Sequence, residues 1–217
     1  MENGRQKMEK QYMEITAIFF DLGEVVLTND WLMKNIEKDR EFYGHYAITP
    51  DGYMRGRDLY SKLLMTGSMT EHDYWINVLH AAGATDTDPA YAIELSRHYQ
   101  EEKPGMFRLL QSLCDATYPL GVISDTHREI FEWKRRHFEL DRFFTTYTTS
   151  CDVGVKKPDI KIFQSACDVL HVEPRGAIFI DDTQSLVEGA ALFGFHAIRY
   201  IDAPTLRIQL RDCGIQI

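Results

Sequence analysis

A chain of 217 residues, 44% hydrophobic and 26% charged, can bury roughly 70% of its unfolded surface in one core, which excludes a disordered or fibrous class. Its 33 acidic and 24 basic residues give a formal net charge of −9, which argues against nucleic acid or an anionic membrane as the main partner. Apolar runs such as 15–20 and 177–180 fall far short of the ~20 residues of a membrane-spanning helix, and the polar, charged start carries no signal core, so the expected address is cytoplasmic.

Residues 1–13 read as a loose charged tail. Residues 15–20 (ITAIFF) form a short apolar, β-branched run ending in Asp21, Gly23 and then Val25, Val26 and Leu27, which predicts a buried parallel strand with a tight loop after it. From 28 to 103 the spacing turns helical, with Trp31, Leu32 and Ile36, then Leu59, Leu63 and Leu64, then Trp75, Val78 and Leu79, then Tyr91, Ile93, Leu95 and Tyr99. Breaks at 49–52, 66–67 and 83–89 divide this stretch into four expected helices, one of them opened by Thr70 as cap.

After Pro104-Gly105 short strands and amphipathic helices alternate. Strands are expected at 120–123, 143–147, 177–180 and 196–200, and helices at 106–114, 128–137, 159–170, 186–193 and 204–211. Strict alternation means a parallel sheet covered on both faces. The predicted fold is therefore α/β, a doubly wound Rossmann-like core (14–27 and 104–217) with an all-helical insertion at 28–103. Cys114, Cys151, Cys167 and Cys213 lack CxxC spacing and read as reduced, buried thiols.

In open parallel sheets ligands collect beyond the carboxyl ends of the strands. Those ends carry Asp21-Leu22-Gly23-Glu24, Ser124-Asp125-Thr126 and Asp181-Asp182-Thr183, and a loop between carries Lys156-Lys157-Pro158-Asp159. Each is weak alone, since an Asp after an apolar run is usually a turn former or cap. Convergence on one crevice changes the reading, because clustered carboxylates cannot all ionise without a cation. Magnesium suits oxygen donors and keeps part of its shell for water and phosphate. A lysine and a hydroxyl beside it could cradle a phosphoryl group for attack by an aspartate.

FFDLGEVVL, LGVISDT, VGVKKPDIKIF and AIFIDDTQSLVEGAALFGFHAI resemble, in order, the four motifs of the haloacid dehalogenase superfamily of aspartate-nucleophile hydrolases, over nearly all of 17–200. The resemblance implies Asp21 as nucleophile, with Ser124 and Lys157 holding phosphate. It also implies Asp21, the Gly23 carbonyl, Asp181 and Asp182 as magnesium ligands, directly or through water. The insertion sits where this family carries a small helical cap that selects the substrate. The implied function is a magnesium-dependent phosphatase for a small phosphorylated metabolite, plausibly a sugar phosphate, acting as a monomer or homodimer.

Three positions depart from the pattern. Gly23 replaces the acid that would protonate the leaving oxygen, as in a subgroup resembling glucose-1-phosphatase-like enzymes, with Glu24 beside it as a substitute. Asp125 stands where Asn is usual next to the phosphate-binding Ser124, and Leu186 stands where many members have Asn. Metal-independent dehalogenation and a non-catalytic binding protein are the alternatives, the paired Asp181 and Asp182 weighing against the first. In the insertion, Arg55 and Arg57 are candidate substrate contacts, and Trp31, Trp75 and Trp133 read as packing aromatics.

Overall fold

The computed structural model describes residues 14–28, 36–98 and 100–217. The expected tail, Trp31, Leu32 and Tyr99 lie outside them. Five parallel strands, β1 (Ala17–Phe20), β2 (Leu120–Ser124), β3 (Thr146–Thr149), β4 (Ala177–Asp181) and β5 (His196–Arg199), form a sheet in the order β3-β2-β1-β4-β5. The chain builds outward from β1 on one side and then crosses to β4 on the other. The crevice of a doubly wound sheet thus opens at the carboxyl ends of β1, β2 and β4.

The central strands are continuous apolar runs because both faces are covered. Ile18 and Phe20 of β1, with Ile178 and Ile180 of β4, pack under α5 (Met106–Asp115) and α10 (Ala203–Asp212). Ala17, Phe19, Ala177 and Phe179 point the other way, toward α8 (Ile160–Leu170) and α9 (Gln184–Phe193), the two-residue alternation a pleated strand requires. Helix α6 (Arg128–His137) follows β2, and a single turn, α7 (Ser150–Val153), follows β3.

The stretch expected as a strand at 143–147 is displaced. Phe143 and Phe144 follow a 3-10 turn (Leu140–Arg142), and β3 starts at Thr146. The two phenylalanines are buried in the same cluster, which consecutive strand residues cannot achieve because their side chains alternate faces.

Among the described residues between β1 and α5 lie four helices, α1 (Ile36–Tyr46), α2 (Pro50–Met65), α3 (Glu71–Ala82) and α4 (Ala90–His98). They enclose their own core of Phe42, Tyr46, Tyr53, Trp75, Val78 and Leu79. Thr49 and Thr70 cap α2 and α3, their hydroxyls accepting from Gly52 N and Asp73 N at 3.1 Å each. Leu59 and Leu63, expected on the packed face of α2, are 63% and 41% exposed. The buried face instead carries Gly52, Tyr53, Gly56 and Leu64. A Cβ at Gly56 would lie 2.6 Å from the Val78 carbonyl oxygen, so this glycine lets α2 lie directly on the α3 backbone.

All four cysteines are free; Cys151 and Cys167 are buried, while Cys114 and Cys213 are only half-buried. No helix among the described residues is long and apolar enough to cross a membrane.

Candidate active site

Asp21 is the first residue beyond β1, held by its N–H donating to the Ile180 carbonyl at 2.9 Å. The loop after it is rigid. Val26 N and Leu27 N both donate to the Leu22 carbonyl, and Lys103 N donates to the Val26 carbonyl at 3.0 Å, tying the loop to the chain returning from the helices. Glu24 takes a left-handed backbone conformation (φ 60°) within this loop. Its carboxylate meets the Lys103 ammonium at 2.9 Å, so it is neither a solvent-facing loop residue nor unpaired in the crevice.

Lys157 is the centre of the arrangement. Its side chain is 1% exposed, and its ammonium lies 2.9 Å from Asp21 Oδ1 and 2.6 Å from Asp181 Oδ2. Burial alone would lower its pKa, but the two carboxylates win and hold it above the ordinary lysine value. The other Asp181 oxygen accepts from Thr183 N at 2.9 Å, which orients this fully buried carboxylate. Asp182, half-buried, faces the same space.

Asp125 does not stand in the crevice simply as an anion beside the phosphate position. Its Oδ1 accepts the backbone N–H of Lys157 at 2.9 Å and thereby fixes the lysine loop to the end of β2. Burial raises its pKa, opposed by that hydrogen bond and the charge of Lys157. Ser124 is buried and lines the cleft, and its hydroxyl has no partner among the described residues.

One oxygen each of Asp21, Asp181 and Asp182 lies within 4.8 Å of the others. The donor set is all hard oxygen, and the pKa values of Asp181 and Asp182 are raised by burial, with Asp21 adding repulsion. Three crowded carboxylates against one shared ammonium leave negative charge for a small divalent cation to offset, so these residues fit such an ion.

The crevice continues into a cleft of about 420 Å³ between the sheet and the helical insert. Asp21, Gly23, Glu24, Ser124, Asp125, Lys157 and Asp182 all border it, as does Leu186. From the insert, Arg57 reaches its wall, whereas Arg55 is exposed on α2 away from it. Trp75 is 3% exposed, packing within the insert and bordering the cleft at once. Tyr53 and Tyr74 add hydroxyls that stay protonated, burial lifting Tyr74 to about 12.

Two polar features of the wall were not anticipated. Glu71, the first residue of α3, is buried and doubly hydrogen-bonded to Arg97, and its N–H donates to Glu129 Oε1 of α6 at 3.2 Å. Lys134 of α6 is only 6% exposed and borders the cleft. The signal for it was present: it follows Ile130 by four residues and Phe131 by three, the positions of the buried stripe.

These features define a doubly wound α/β protein with an acidic, lysine-bridged crevice roofed by helices. The family model for haloacid dehalogenase-like hydrolases matches residues 64–199, and the chain belongs to that family. It is 30% identical over 96 residues to (S)-2-haloacid dehalogenase 4A of Burkholderia cepacia, covering 44% of this chain and 42% of that protein. It is 38% identical over 85 residues to glyceraldehyde 3-phosphate phosphatase of Pyrococcus furiosus, covering 39% and 35%. The matches thus span less than half of these curated relatives. Among solved structures, a HAD family enzyme of Bacteroides thetaiotaomicron complexed with magnesium and inorganic phosphate superposes with a TM-score of 0.68 at 17% identity, covering 87% of this chain and 96% of that one.

Proposed function

We propose that the protein is a magnesium-dependent phosphatase for a small phosphorylated metabolite of the sugar-phosphate class, working through a phosphorylated Asp21. The observation that carries this reading is the Lys157 ammonium shared between Asp21 and Asp181, with Asp182 beside them, at the floor of an enclosed cleft. The phosphatase named among the relatives, and the phosphate and magnesium held by the structural neighbour, support it.

In this reading an Asp21 oxygen attacks phosphorus, and the ester P–O bond breaks with its electron pair leaving on the departing oxygen. Lys157 donates to Asp181 Oδ2 and forms an ion pair with Asp21. Its remaining N–H bonds and the unpartnered Ser124 hydroxyl are available to the equatorial phosphoryl oxygens. Asp125 acts through Lys157, fixing its backbone. Asp21, Asp181, Asp182 and the Gly23 carbonyl would hold magnesium, which supplies charge neutralisation for the phosphoryl oxygens. Water then cleaves the aspartyl phosphate, returning Asp21 and inorganic phosphate.

Gly23 offers no acid to the leaving oxygen, and Glu24 is engaged with Lys103. Losing a general acid typically costs ~10² to 10⁴ in rate. Anomeric or acyl phosphates, whose leaving groups need little protonation, suffer least and are the favoured substrates.

Phosphate release across a metabolite panel, with magnesium and with chelator, tests the reading. Metal-dependent release that Asp21→Asn abolishes while circular dichroism is unchanged is the expected result. Halide release from haloacids that survives chelation would establish the dehalogenase instead, and silence on both would establish a binding protein.

A further inference from the structure

The cations around the cleft are almost all committed. Lys157 is shared by Asp21 and Asp181, Lys103 meets Glu24, Arg97 grips Glu71, and Arg57 pairs with Asp58 at 3.3 Å. Lys134 is the exception. Its ammonium makes no hydrogen bond or ion pair among the described residues, although the side chain sits in the cleft wall and is more than nine-tenths buried. Burial holds its pKa down to about 8 against the pull of Asp21 and Glu24, which leaves it mostly charged at neutral pH. Those two carboxylates make closer ion pairs with Lys157 and Lys103 and act on Lys134 only through the field, so no carboxylate touches its ammonium among the described residues.

A lysine this deeply buried with no hydrogen-bond partner for its ammonium is costly, and folds rarely keep one without a use. The phosphoryl position does not need it, since Lys157 and Ser124 stand there. Across the cleft from the core helices, the insert side contributes a second unmet group: Gln100 is 7% exposed, donates through Nε2 to the Ser96 carbonyl at 3.1 Å, and leaves its buried Oε1 without a partner. A cation on one wall and an acceptor on the other, both bordering the same space as Asp21, make a second polar pole of the cleft.

We propose that Lys134 is a specificity-determining residue that binds a second anionic group of the substrate, a carboxylate or another phosphate, carried away from the phosphoryl group that Asp21 attacks. This rests on the phosphatase reading and narrows its substrate class to small phosphate esters bearing a further negative charge.

The test uses the full chain with magnesium. Turnover is compared on p-nitrophenyl phosphate, phosphorylated hydroxy acids and sugar bisphosphates. Binding of phosphonoacetate and of ethylphosphonate, which differ in a carboxylate, is measured by calorimetry. The wild type is expected to favour the doubly anionic member of each comparison by about tenfold or more, Lys134→Met to erase that ratio, and Lys134→Arg to retain much of it. Preference among hydroxy acids points to a carboxylate, and preference among bisphosphates to a second phosphate. Equal ratios in wild type and a folded Lys134→Met protein, or no preference in the wild type, overturn the assignment. Absence of phosphate release from every substrate overturns the phosphatase reading instead, while the phosphonate ratio still reads Lys134.

Discussion

Replacing Lys134 by Met should stabilise the protein while impairing recognition. The lysine pKa falls from 10.5 to about 8 on burial, Asp21 and Glu24 opposing the fall only in part, and no hydrogen bond or ion pair among the described residues repays the loss of water. At about 1.4 kcal/mol per pKa unit, keeping the proton in the fold costs roughly 3–4 kcal/mol. The sign follows from the depressed value. Below pH 8 the folded chain carries the full penalty, between pH 8 and 10.5 the penalty shrinks as the folded lysine deprotonates, and above 10.5 it is gone. Methionine has similar length and no charge to desolvate. Urea denaturation of the metal-free protein should therefore place Lys134→Met roughly 3–4 kcal/mol above wild type at pH 7, a rise of very roughly 6–16 °C in melting temperature, and the gain should shrink toward pH 10. A variant less stable than wild type at pH 7, or a gain that does not change with pH, would refute the claim that this ammonium is buried without compensation.

Gly56→Ala should destabilise, since the new Cβ meets backbone atoms of Val78 at 2.6 and 3.0 Å; overpacking of about 1–3 kcal/mol outweighs a helix-propensity gain of roughly 1, and a raised melting temperature would contradict it. Asp125→Ala strands the Lys157 N–H and should cost about 1–3 kcal/mol with a loss of turnover, whereas Asp125→Asn keeps an acceptor. Because burial raises the Asp125 pKa, its charged form is penalised at neutral pH, so the Asn variant should gain stability there and lose that gain in acid, as pH titrations of stability will show. Millimolar magnesium should raise the melting temperature of the wild type, by up to about 2.7 kcal/mol of stability at a hundredfold excess over the dissociation constant, and Asp182→Asn should lose most of that response in calorimetric scans.

The three strands β1, β2 and β4, made of nearly continuous apolar residues, were legible because a doubly covered sheet leaves no polar face to confuse the pattern. Strand β3, Thr146-Tyr147-Thr148-Thr149, looks polar in sequence, and the aromatic pair before it drew the expected strand three residues early. Helix α2 was located correctly but faced wrongly, because glycines make its contact with α3 and leucines do not. The acids and Lys157 could be read from their places at strand ends. The Glu24–Lys103 pair could not, since 79 residues separate its members in the chain and only the folded loop brings them together. Lys134 was hidden in the run Lys134-Arg135-Arg136-His137, where three exposed or half-exposed neighbours suggest a solvated surface and only helical spacing singles out the buried one.

The seam between sheet and insert explains why specificity can reside there. The insert has an apolar core of its own beside the clusters on the two faces of the sheet, and polar and backbone contacts help fix it over the sheet. Ser150 Oγ donates to the Met65 carbonyl at 2.6 Å. Gly67, at a φ of 73°, brings its Cα against Cys151, where a Cβ would fall 2.4 Å from the carbonyl oxygen. His127 lies 3.8 Å from Glu71 and 3.3 Å from Glu129, the latter bond holding the Glu129 pKa down to about 2. Such contacts fix the orientation of the insert without filling the space beneath it, because each polar group must find a partner at a set distance and angle. A seam of apolar side chains would close on itself. This one leaves a cleft bordered by the Ser124 hydroxyl and the Lys134 side chain, neither with a hydrogen-bond partner among the described residues, and a molecule that satisfies both must carry polar groups spaced to meet them.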